Sequence, residues 1–314
     1  MATYLVTGGA GFIGSHLCDR LLAEGKRVVA VDDLSSGRIA NLAEARSYGQ
    51  QLTFHTIDIR HPEIRALFER YRPEVVLHTA AQPSVAVSIK DPALDASINL
   101  IGLLNVLECA AGTGVRKVVF AASGGTLYGE PKALPVKENA RNRAKPVSPY
   151  GISKAVGIQY LEFYRRTRGL DFTALALGNI YGPRQDRHGE AGVIAIFTAD
   201  MLSGETPTIF GDGEQTGDYT FVDDAVHAFA LAAERGSGEV VNVGTGVETS
   251  VNRLFNLMCT LTGFRGQPQY GPRREGDLRR SALDVELAVK ELGWQPWTSL
   301  KDGLRMTVDS FRQG

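Results

Sequence analysis

The chain has 314 residues, 43% of them hydrophobic, and so it can bury the core of one large domain or of two smaller ones. Its 34 basic and 35 acidic side chains leave a net charge of −1, which excludes a general attraction to nucleic acid or to an anionic membrane surface. Cys18, Cys109 and Cys259 are too scattered for a disulfide framework or a metal site, and we predict neither. There is no basic leader and no uninterrupted apolar run of ~18 residues, so we expect a cytoplasmic protein.

The first two-thirds of the chain alternates short, continuously apolar runs with amphipathic segments. The runs read TYLVTG, RVVAVDD, LTFHTID, EVVLHTAA, KVVFAAS and FTALALGNIYG. After the first run, Ile13, Leu17, Leu21 and Leu22 recur at helical spacing, and GLLNVLECAAGTG predicts another helix before the fifth run. Apolar runs that do not alternate with polar residues are typical of strands covered on both faces. We therefore predict an α/β fold with a doubly wound parallel sheet of the Rossmann type.

The amino-acid composition of the chain changes after residue 183, where the segment GPRQDRHGEAG is polar and rich in turn residues. Beyond it, VVNVGTG indicates one late strand, and the tail is helical with a break at GWQPW. We predict a sheet domain formed by residues 1–183, to which 217–246 return, and a smaller C-terminal region formed by 184–216 and 247–314.

A glycine-rich turn, LVTGGAGFIGSHL, joins the first predicted strand to the first predicted helix. Gly8 permits a tight turn, Gly11 lets the backbone approach a pyrophosphate at the positive end of the helix, and Gly14 lets the helix pack on the strand. Ordinary strand-to-helix turns also contain glycines, so the triplet alone is weak evidence. Its position between a strand and a helix favours a dinucleotide-binding site.

Asp32 ends the second predicted strand, about 20 residues beyond the glycine turn. A carboxylate at this place accepts hydrogen bonds from an adenosine ribose and repels a 2′-phosphate, so we predict NAD rather than NADP. Asp33, which is not a basic residue, follows it and favours the same cofactor. Asp58, which ends the third predicted strand, is a candidate for binding the adenine amino group.

In the segment SPYGISK, Tyr150 precedes Lys154 by four residues, a spacing that brings both side chains to one face of a helix. An ammonium group beside a phenol favours the phenolate, and we predict that Lys154 lowers the pKa of Tyr150. Such a phenol can take a proton from a substrate hydroxyl. The same spacing is common on solvated helix faces, and the pair gains its significance from the glycine turn upstream.

Several motifs together carry a resemblance to a known family. TGGAGFIG, HTAAQ, SPYGISK and GNIYGPRQD, followed by GDGEQTGDYTFVDDAVHA and ELGWQP, resemble the extended short-chain dehydrogenases/reductases over nearly the whole chain. Within that group the chain is most similar to the UDP-glucose 4-epimerase branch. The resemblance implies an isomerase that holds NAD on the sheet domain and a UDP-sugar in the C-terminal region. It also implies a homodimer formed by the helices around NLIGLLNVLECAA and SKAVGIQYLEFY.

The resemblance also implies a mechanism and a set of site residues. Tyr150 takes the proton of the sugar 4-hydroxyl while the C4 hydride moves to NAD, and the hydride returns to the other face of a transient 4-keto sugar. Lys154 keeps Tyr150 acidic and positions the cofactor. The expected cofactor site comprises Gly8, Gly11, Phe12, Ile13, Asp32, Asp58, Ile59, Ala80, Asn99, Tyr150 and Lys154. The expected substrate site comprises Gly124, Thr126, Asn179, Arg184, Arg274 and Asp277.

The chain departs from the family at Gly124, where a Ser or Thr hydroxyl usually contacts the sugar O4. We expect Thr126 to supply the missing hydroxyl, ahead of Ser123, although the spacing does not decide between them. The related 4,6-dehydratases carry Thr-Asp-Glu where this chain has Gly124, Gly125 and Thr126, and the decarboxylating relatives also have a glutamate there. Without such an acid and base, epimerisation is favoured over both reactions.

A second departure is Gly217, which stands where the family usually has an arginine bound to the nucleotide phosphate. The basic residues that could compensate for its loss are Arg184, Arg187, Arg273 and Arg274.

The identity of the sugar is less restricted than the reaction. Ser281 aligns with the position that limits the bulk of the sugar in the family, and its small side chain admits larger substituents. UDP-glucuronic acid and UDP-N-acetylglucosamine are therefore alternatives to UDP-glucose and UDP-galactose. A regulator that senses NAD without catalysis is another alternative, against which the intact Tyr150–Lys154 pair argues.

Overall fold

The computed structural model describes residues 1–186 and 192–313. Its strands are β1 Thr3–Thr7, β2 Arg27–Asp32, β3 Leu52–Thr56, β4 Val75–His78, β5 Lys117–Ser123, β6 Asp171–Leu177, β7 Asn179–Tyr181, β8 Thr208–Phe210, β9 Thr216–Gly217, β10 Tyr219–Phe221, β11 Glu239–Val243, β12 Thr249–Ser250 and β13 Gln269–Gly271. Its α-helices are α1 Phe12–Ala23, α2 Ala43–Arg46, α3 Ile64–Tyr71, α4 Val85–Lys90, α5 Pro92–Ala96, α6 Gly102–Thr113, α7 Gly124–Leu127, α8 Pro149–Arg168, α9 Val193–Ser203, α10 Val222–Ala232, α11 Val251–Thr262, α12 Glu286–Leu292 and α13 Leu300–Gln313. A π-helical turn, Ser97–Ile101, joins α5 to α6.

Seven strands form one parallel sheet in the order β11-β6-β5-β4-β1-β2-β3. Successive residues of β1 enter different cores: Leu5 packs in the cluster that contains Phe68 and Phe172, and Val6 in the cluster that contains Leu17 and Trp294. This burial on both faces explains why the strands are continuously apolar in sequence. The predicted doubly wound α/β fold is confirmed.

The sixth predicted strand proved to be two strands. β6 stays in the main sheet, whereas β7 leaves it and pairs with β10. The break falls at Gly178, whose amide donates to the Val243 carbonyl at 2.8 Å and whose Cβ position lies 2.7 Å from the Asp218 carbonyl oxygen. The late strand predicted from VVNVGTG is β11, and it pairs with β6 at the edge of the main sheet.

The elements after residue 192 are smaller and less regular. β8 pairs with β13, and β9 pairs with β12, as separate two-stranded sheets. Helices α9 and α11 meet through Phe197 and Phe255, whose rings pack edge to face at 5.9 Å. In the break between α12 and α13, the buried Trp294 donates its indole N–H to the Asp224 carbonyl at 2.8 Å. This hydrogen bond fastens the tail of the chain to α10.

The order of the main sheet reverses between β1 and β4, since β2 and β3 lie on one side of β1 and β4, β5 and β6 on the other. In open α/β sheets, ligands bind in the crevice at the carboxyl ends of the strands where such a reversal occurs. Here the turns after the two strands touch: the Cβ position of Gly8 lies 2.8 Å from the Ala80 nitrogen. The glycine turn therefore stands at the crevice.

One helical stretch, Pro92–Thr113, is long and apolar enough by length and composition to cross a membrane. It comprises α5, the π-helical turn and α6, and 44% of its most apolar window is buried inside the protein. Core helices of globular proteins have the same properties, and this stretch packs against α3 and α8.

Candidate active site

The glycine turn forms a cradle of bare backbone. Gly8 adopts a left-handed conformation with φ of +68°, and a Cβ at Gly14 would lie 2.0 Å from the Gly8 carbonyl oxygen. Helix α1 therefore starts in direct contact with the turn. Gly11 is its N-cap and has no side chain to satisfy the first amides of the helix, which leaves them available to an anion. The cradle fits the pyrophosphate of a dinucleotide.

A cleft of about 1410 Å³ runs along this turn and is large enough for a dinucleotide. Eight of the predicted cofactor residues line it, namely Gly8, Gly11, Phe12, Ile13, Asp32, Asp58, Ile59 and Ala80. Asp32 is buried there, and its carboxylate accepts the amides of Ala10 at 3.0 Å and Leu34 at 2.8 Å. Burial raises the pKa of Asp32, and these two hydrogen bonds oppose the rise. The two hydrogen bonds fix the Asp32 carboxylate at the end of β2. The remaining lone pairs of its oxygens can accept hydrogen bonds from ribose hydroxyls.

Two predicted cofactor residues have other partners in the structure. The guanidinium of Arg60 donates a hydrogen bond to the carboxylate of Asp58, with an Nε to Oδ1 distance of 3.0 Å. This contact lowers the pKa of Asp58. Asn99 is buried behind the cleft and does not line it. Its amide group bonds to the backbone of Gln82 and to the side chain of Asp95. The position of Asn99 thus favours a supporting role rather than the predicted contact with the cofactor.

The local sequence explains why Tyr150 and Lys154 lie in the first turns of α8. Ser148 caps the helix by accepting the Gly151 amide at 3.2 Å, and Pro149 occupies the first helical position. Lys154 is buried. Its Nζ lies 5.6 Å from the centre of the Tyr150 ring and 4.8 Å from the centre of the Phe120 ring, so the ammonium group stands over two aromatic rings.

The predicted lowering of the Tyr150 pKa is wrong for this structure, in which the pKa is raised. Burial raises the pKa of Tyr150 well above its usual value, Asp95 raises it further, and a hydrogen bond with Ser123 opposes the rise. Burial also lowers the pKa of Lys154 to about 8, against the opposing effect of Asp95. The sequence contained the pair, but neither the loss of hydration nor the buried carboxylate near it could be read from the spacing.

The packing around Gly124 explains why this chain has no hydroxyl there. A Cβ at Gly124 would lie 2.6 Å from Leu283 Cδ1 and 3.0 Å from a backbone carbonyl of β6. Ser123, the last residue of β5, lies near Tyr150 and lowers its pKa. Thr126 has a buried Oγ1 with no hydrogen-bond partner in the described part of the chain. The structure therefore brings Ser123 rather than Thr126 to the phenol, the reverse of the expected preference.

Asn179, the first residue of β7, lies next to the same turn. Its Oδ1 is 3.6 Å from the Cβ position of Gly125, and its backbone amide donates to the Asp218 carbonyl at 2.7 Å. The side chain is exposed. The structure thus places the Asn179 amide group beside Gly124 and Gly125, where a sugar would meet the phenol.

Arg274 and Asp277 lie on the loop that follows β13. The guanidinium of Arg274 stacks on the ring of Phe210 at 3.8 Å. Loss of hydration raises the pKa of Asp277, and Arg274 and Arg273 oppose that rise, so the three charges lie close together. Arg273 is engaged by Glu130 at 3.9 Å and by the Asp277 carbonyl at 2.8 Å. Arg274 forms no ion pair with any residue that the structure describes, and its charge remains available to a diphosphate.

Arg184 does not lie with these residues. It pairs with Asp19 at 2.6 Å and Glu44 at 3.4 Å, on helices α1 and α2, and it lines the dinucleotide cleft. The expectation that Arg184 binds the substrate is therefore not supported by its position, which is on the cofactor side.

The ring of Tyr219 fills the space beside Gly217. A Cβ at Gly217 would lie 3.0 Å from Tyr219 Cζ, so the arginine usual in the family would need this ring to move. Of the arginines predicted to compensate for Gly217, Arg187 lies outside the described residues. Arg274 lies near Asp277 and is the one within the described ranges that forms no ion pair there.

Sequence reasoning missed Asp95, Phe120 and Phe210. The two phenylalanines belong to apolar strands, where an aromatic ring that stacks on a cation looks like any other core residue. Asp95 did leave a signal, because it is the only charged residue in the sequence PALDASINLIGLLNVL. A lone charge in an apolar stretch indicates a buried polar contact.

The phenol and the cradle share one edge of the sheet. Ser123 ends β5 and acts on the pKa of Tyr150, so the phenol lies near the carboxyl edge, where the glycine turn also opens. A buried lysine and a phenol beside a dinucleotide cradle define the class of extended short-chain dehydrogenases/reductases.

Comparison with known proteins identifies the family. The model of the NAD dependent epimerase/dehydratase family matches residues 4–244. The chain is 48% identical over 309 residues to the UDP-glucose 4-epimerase of Mycolicibacterium smegmatis, with 98% of each chain covered. Two crystal structures, each covering 99% of both chains, are also similar. The first is the UDP-glucose 4-epimerase of Thermotoga maritima with UDP-glucose, at 48% identity and a TM-score of 0.95. The second is the UDP-glucose 4-epimerase of Thermus thermophilus with NAD, at 41% identity and a TM-score of 0.91. The chain belongs to the NAD dependent epimerase/dehydratase family.

Proposed function

We propose that the protein is an NAD-dependent UDP-hexose 4-epimerase that interconverts UDP-glucose and UDP-galactose. The observation that carries the proposal is the buried Lys154, whose ammonium group lies 5.6 Å from the centre of the Tyr150 ring, with Ser123 near the phenol at the carboxyl end of β5. The similarity to UDP-glucose 4-epimerases over almost the whole chain supports the same reaction.

The residues of the cleft fit NAD. The cradle of Gly8 and Gly14 leaves backbone where a pyrophosphate needs it, and Asp32 is fixed where it accepts ribose hydroxyls and repels a 2′-phosphate. Bound NAD supplies a reversible acceptor for the C4 hydride, so turnover needs no added reductant.

The catalytic residues move one proton. Tyr150 accepts it from the sugar 4-hydroxyl and returns it, and the Ser123 hydroxyl near the phenol lowers the pKa of Tyr150. Since burial raises the pKa of Tyr150, nearby positive charge is required to form the phenolate, and Lys154 provides a cation over the ring. Neither Gly124 nor Gly125 can act as the acid or base of a dehydratase, which favours epimerisation.

The nucleotide would be held on the C-terminal side. Arg274 contributes an unengaged guanidinium for the diphosphate, Asp277 a carboxylate for a ribose hydroxyl, and Asn179 an amide group near the sugar. Ser281 is buried, with its amide 3.4 Å from Thr216 Oγ1. Its small side chain keeps UDP-glucuronic acid and UDP-N-acetylglucosamine as the substrates to test against UDP-glucose.

The proposal is tested by incubating the purified protein with UDP-glucose without added cofactor and following the anomeric protons of UDP-galactose by NMR. Tyr150→Phe should abolish inversion, because no proton acceptor remains. Tyr160→Phe, which removes a partly exposed hydroxyl from the same helix, is the matched control and should retain activity. Full activity of Tyr150→Phe, or inversion of UDP-glucuronic acid or UDP-N-acetylglucosamine without inversion of UDP-glucose, would refute the proposal.

We propose a homodimer formed by α8 and the stretch Pro92–Thr113. Both carry large apolar side chains that are exposed in the single chain, and these are Leu94, Ile101, Ile152, Tyr160 and Phe163. Ile101 is 57% exposed and Ile152 50% exposed, which is unfavourable unless a second copy covers them. Light scattering should give twice the mass of the chain, and Ile152→Glu with Phe163→Glu should give a monomer. A monomeric wild type at micromolar concentration would exclude this dimer.

We further propose that residues 1–183 with 217–246 form the NAD-binding domain, and 184–216 with 247–314 the region that binds the nucleotide sugar. The position of β11 in the main sheet supports the return of the chain to the first domain. A cytoplasmic location is supported by the three free cysteines, two of them buried, which suit a reducing compartment.

A further inference from the structure

Asp95 is a buried carboxylate beside the catalytic pair, and the proposed reaction gives it no part. It lies on α5 and is fully buried, with 0% of its surface exposed. Its oxygens accept hydrogen bonds from Ser153 at 2.6 Å, Asn99 at 2.8 Å and Gln82 at 3.1 Å. Burying a charge is costly unless its hydrogen bonds are satisfied, and here three donors satisfy it.

The backbone decides how the two amide side chains are oriented. Asn99 Oδ1 accepts the amide of Gln82 at 3.0 Å, so the Nδ2 of Asn99 must face Asp95. Gln82 Oε1 accepts the amide of Ser84, which turns the Nε2 of Gln82 to Asp95. The carboxyl group of Asp95 therefore meets N–H donors from both amides and the hydroxyl of Ser153. It acts only as an acceptor, as an ionised carboxylate does.

This cluster connects the cofactor cleft to the catalytic helix. Gln82 lines the cleft, and Ser153 is the neighbour of Lys154 on α8. Asp95 raises the pKa of Lys154 and that of Tyr150, so its charge acts on both catalytic groups.

Few other charges face the cluster in the described parts of the chain. From the elements packed around it, the titratable groups are Tyr150 and Lys154 on α8, His78 on β4, Lys90 on α4, the exposed Asp91 between α4 and α5, and Arg60 before α3. Burial, and to a lesser extent the charge of Lys154, lowers the pKa of His78 to about 3, so this side chain is neutral at working pH. Lys90 is exposed, and Arg60 reaches Ser97 rather than Asp95. Asp95 is therefore the buried anion that acts on the pair.

We propose that Asp95 is a positioning residue that ties the Gln82 loop to the turn of α8 carrying Ser153 and Lys154, and that its charge sets the pH range in which the catalytic pair works. This inference rests on the proposed epimerase function for its kinetic test.

The kinetic test compares the pH profile of kcat for Asp95→Asn with that of the wild type. Since the carboxylate favours the protonated form of both Tyr150 and Lys154, its loss should move both limbs of the profile to lower pH, by about one unit. This holds whichever of the two groups governs each limb. Asp91→Asn is the matched control: it removes the same charge four residues earlier, from an exposed helix cap that Asn fills equally well, and should move neither limb. Limbs that stay in place in a folded Asp95→Asn enzyme overturn the proposal, even if kcat falls.

A stability cycle needs no substrate and covers the case in which Asp95→Asn does not fold alone. Asp95→Asn should lower the melting temperature less in a Lys154→Met background than in the wild type, because the favourable interaction between the two charges is then already absent. If Asp95→Asn alone is unfolded, the double variant should fold. The proposal is overturned if Asp95→Asn lowers the melting temperature equally in both backgrounds. It is also overturned if Lys154→Met folds but the double variant is as unfolded as Asp95→Asn. An inactive wild type would overturn the proposed function instead, and the stability cycle would still decide the role of Asp95.

Discussion

The hydroxyl that assists Tyr150 can be identified by comparing two substitutions that each remove one hydroxyl. Ser123→Ala removes the hydroxyl that lies near the phenol and lowers its pKa, and Thr126→Val replaces a buried hydroxyl that has no partner among the described residues with a methyl group. Both changes leave the size of the side chain nearly unchanged, so the difference between them reports the hydrogen bond.

The expected magnitudes follow from these contacts. A hydrogen bond to a group that becomes charged contributes about 1.5–3 kcal/mol, so Ser123→Ala should reduce kcat by ~10–150-fold. Thr126→Val removes no hydrogen bond and relieves an unsatisfied polar atom, so it should change kcat little and leave the melting temperature unchanged or higher.

The assay is the initial rate of UDP-galactose formation at saturating UDP-glucose, with thermal melts of each variant to exclude unfolding. Ser123→Thr, which keeps the hydroxyl, is the conservative control and should retain more activity than Ser123→Ala. A larger fall in kcat for Thr126→Val than for Ser123→Ala would show that the assignment of the two hydroxyls is reversed.

Three other predictions concern packing, pH and cofactor choice. Gly124→Ser should lower the free energy of unfolding by about 1–3 kcal/mol because its Cβ meets Leu283, and it should lower it by less in a Leu283→Ala background; equal losses in both backgrounds in chemical denaturation would contradict this. The pKa of Lys154 is lowered from 10.5 to about 8, so the unfolded chain holds this proton more tightly, and the charge destabilises the fold fully below pH 8 and progressively less above it. The melting temperature of Lys154→Met should therefore exceed that of the wild type most below pH 8, and a difference that does not narrow between pH 8 and 10 would refute the assignment. Asp32→Asn should weaken NAD binding about tenfold and reduce the preference over NADP, and an unchanged ratio of the two Kd values in fluorescence titrations would show that Asp32 does not select the cofactor.

The local patterns were sufficient for the fold and for the main parts of the site. Continuous apolar runs predicted the strands, because strands buried on both faces need no polar residues. The glycine turn and the SPYGISK segment are short, and each fixes its own backbone: a Cβ at Gly14 would collide with Gly8, and Ser148 and Pro149 start the helix that carries Tyr150. Features determined within a few residues can be read from the sequence.

The remaining features depended on contacts between distant parts of the chain. Leu283 excludes a side chain at Gly124, Asp19 engages Arg184, and Asp95 lies against Ser153, pairs separated in each case by more than fifty positions. The sequence correctly indicated that Tyr150 and Lys154 belong together, but it gave the wrong direction for the phenol's pKa. Spacing along a helix fixes which groups are neighbours, whereas a pKa depends on how much water the fold removes and on which charges it brings near. Those two quantities exist only in the folded protein, and for this reason the tertiary structure alone decided them.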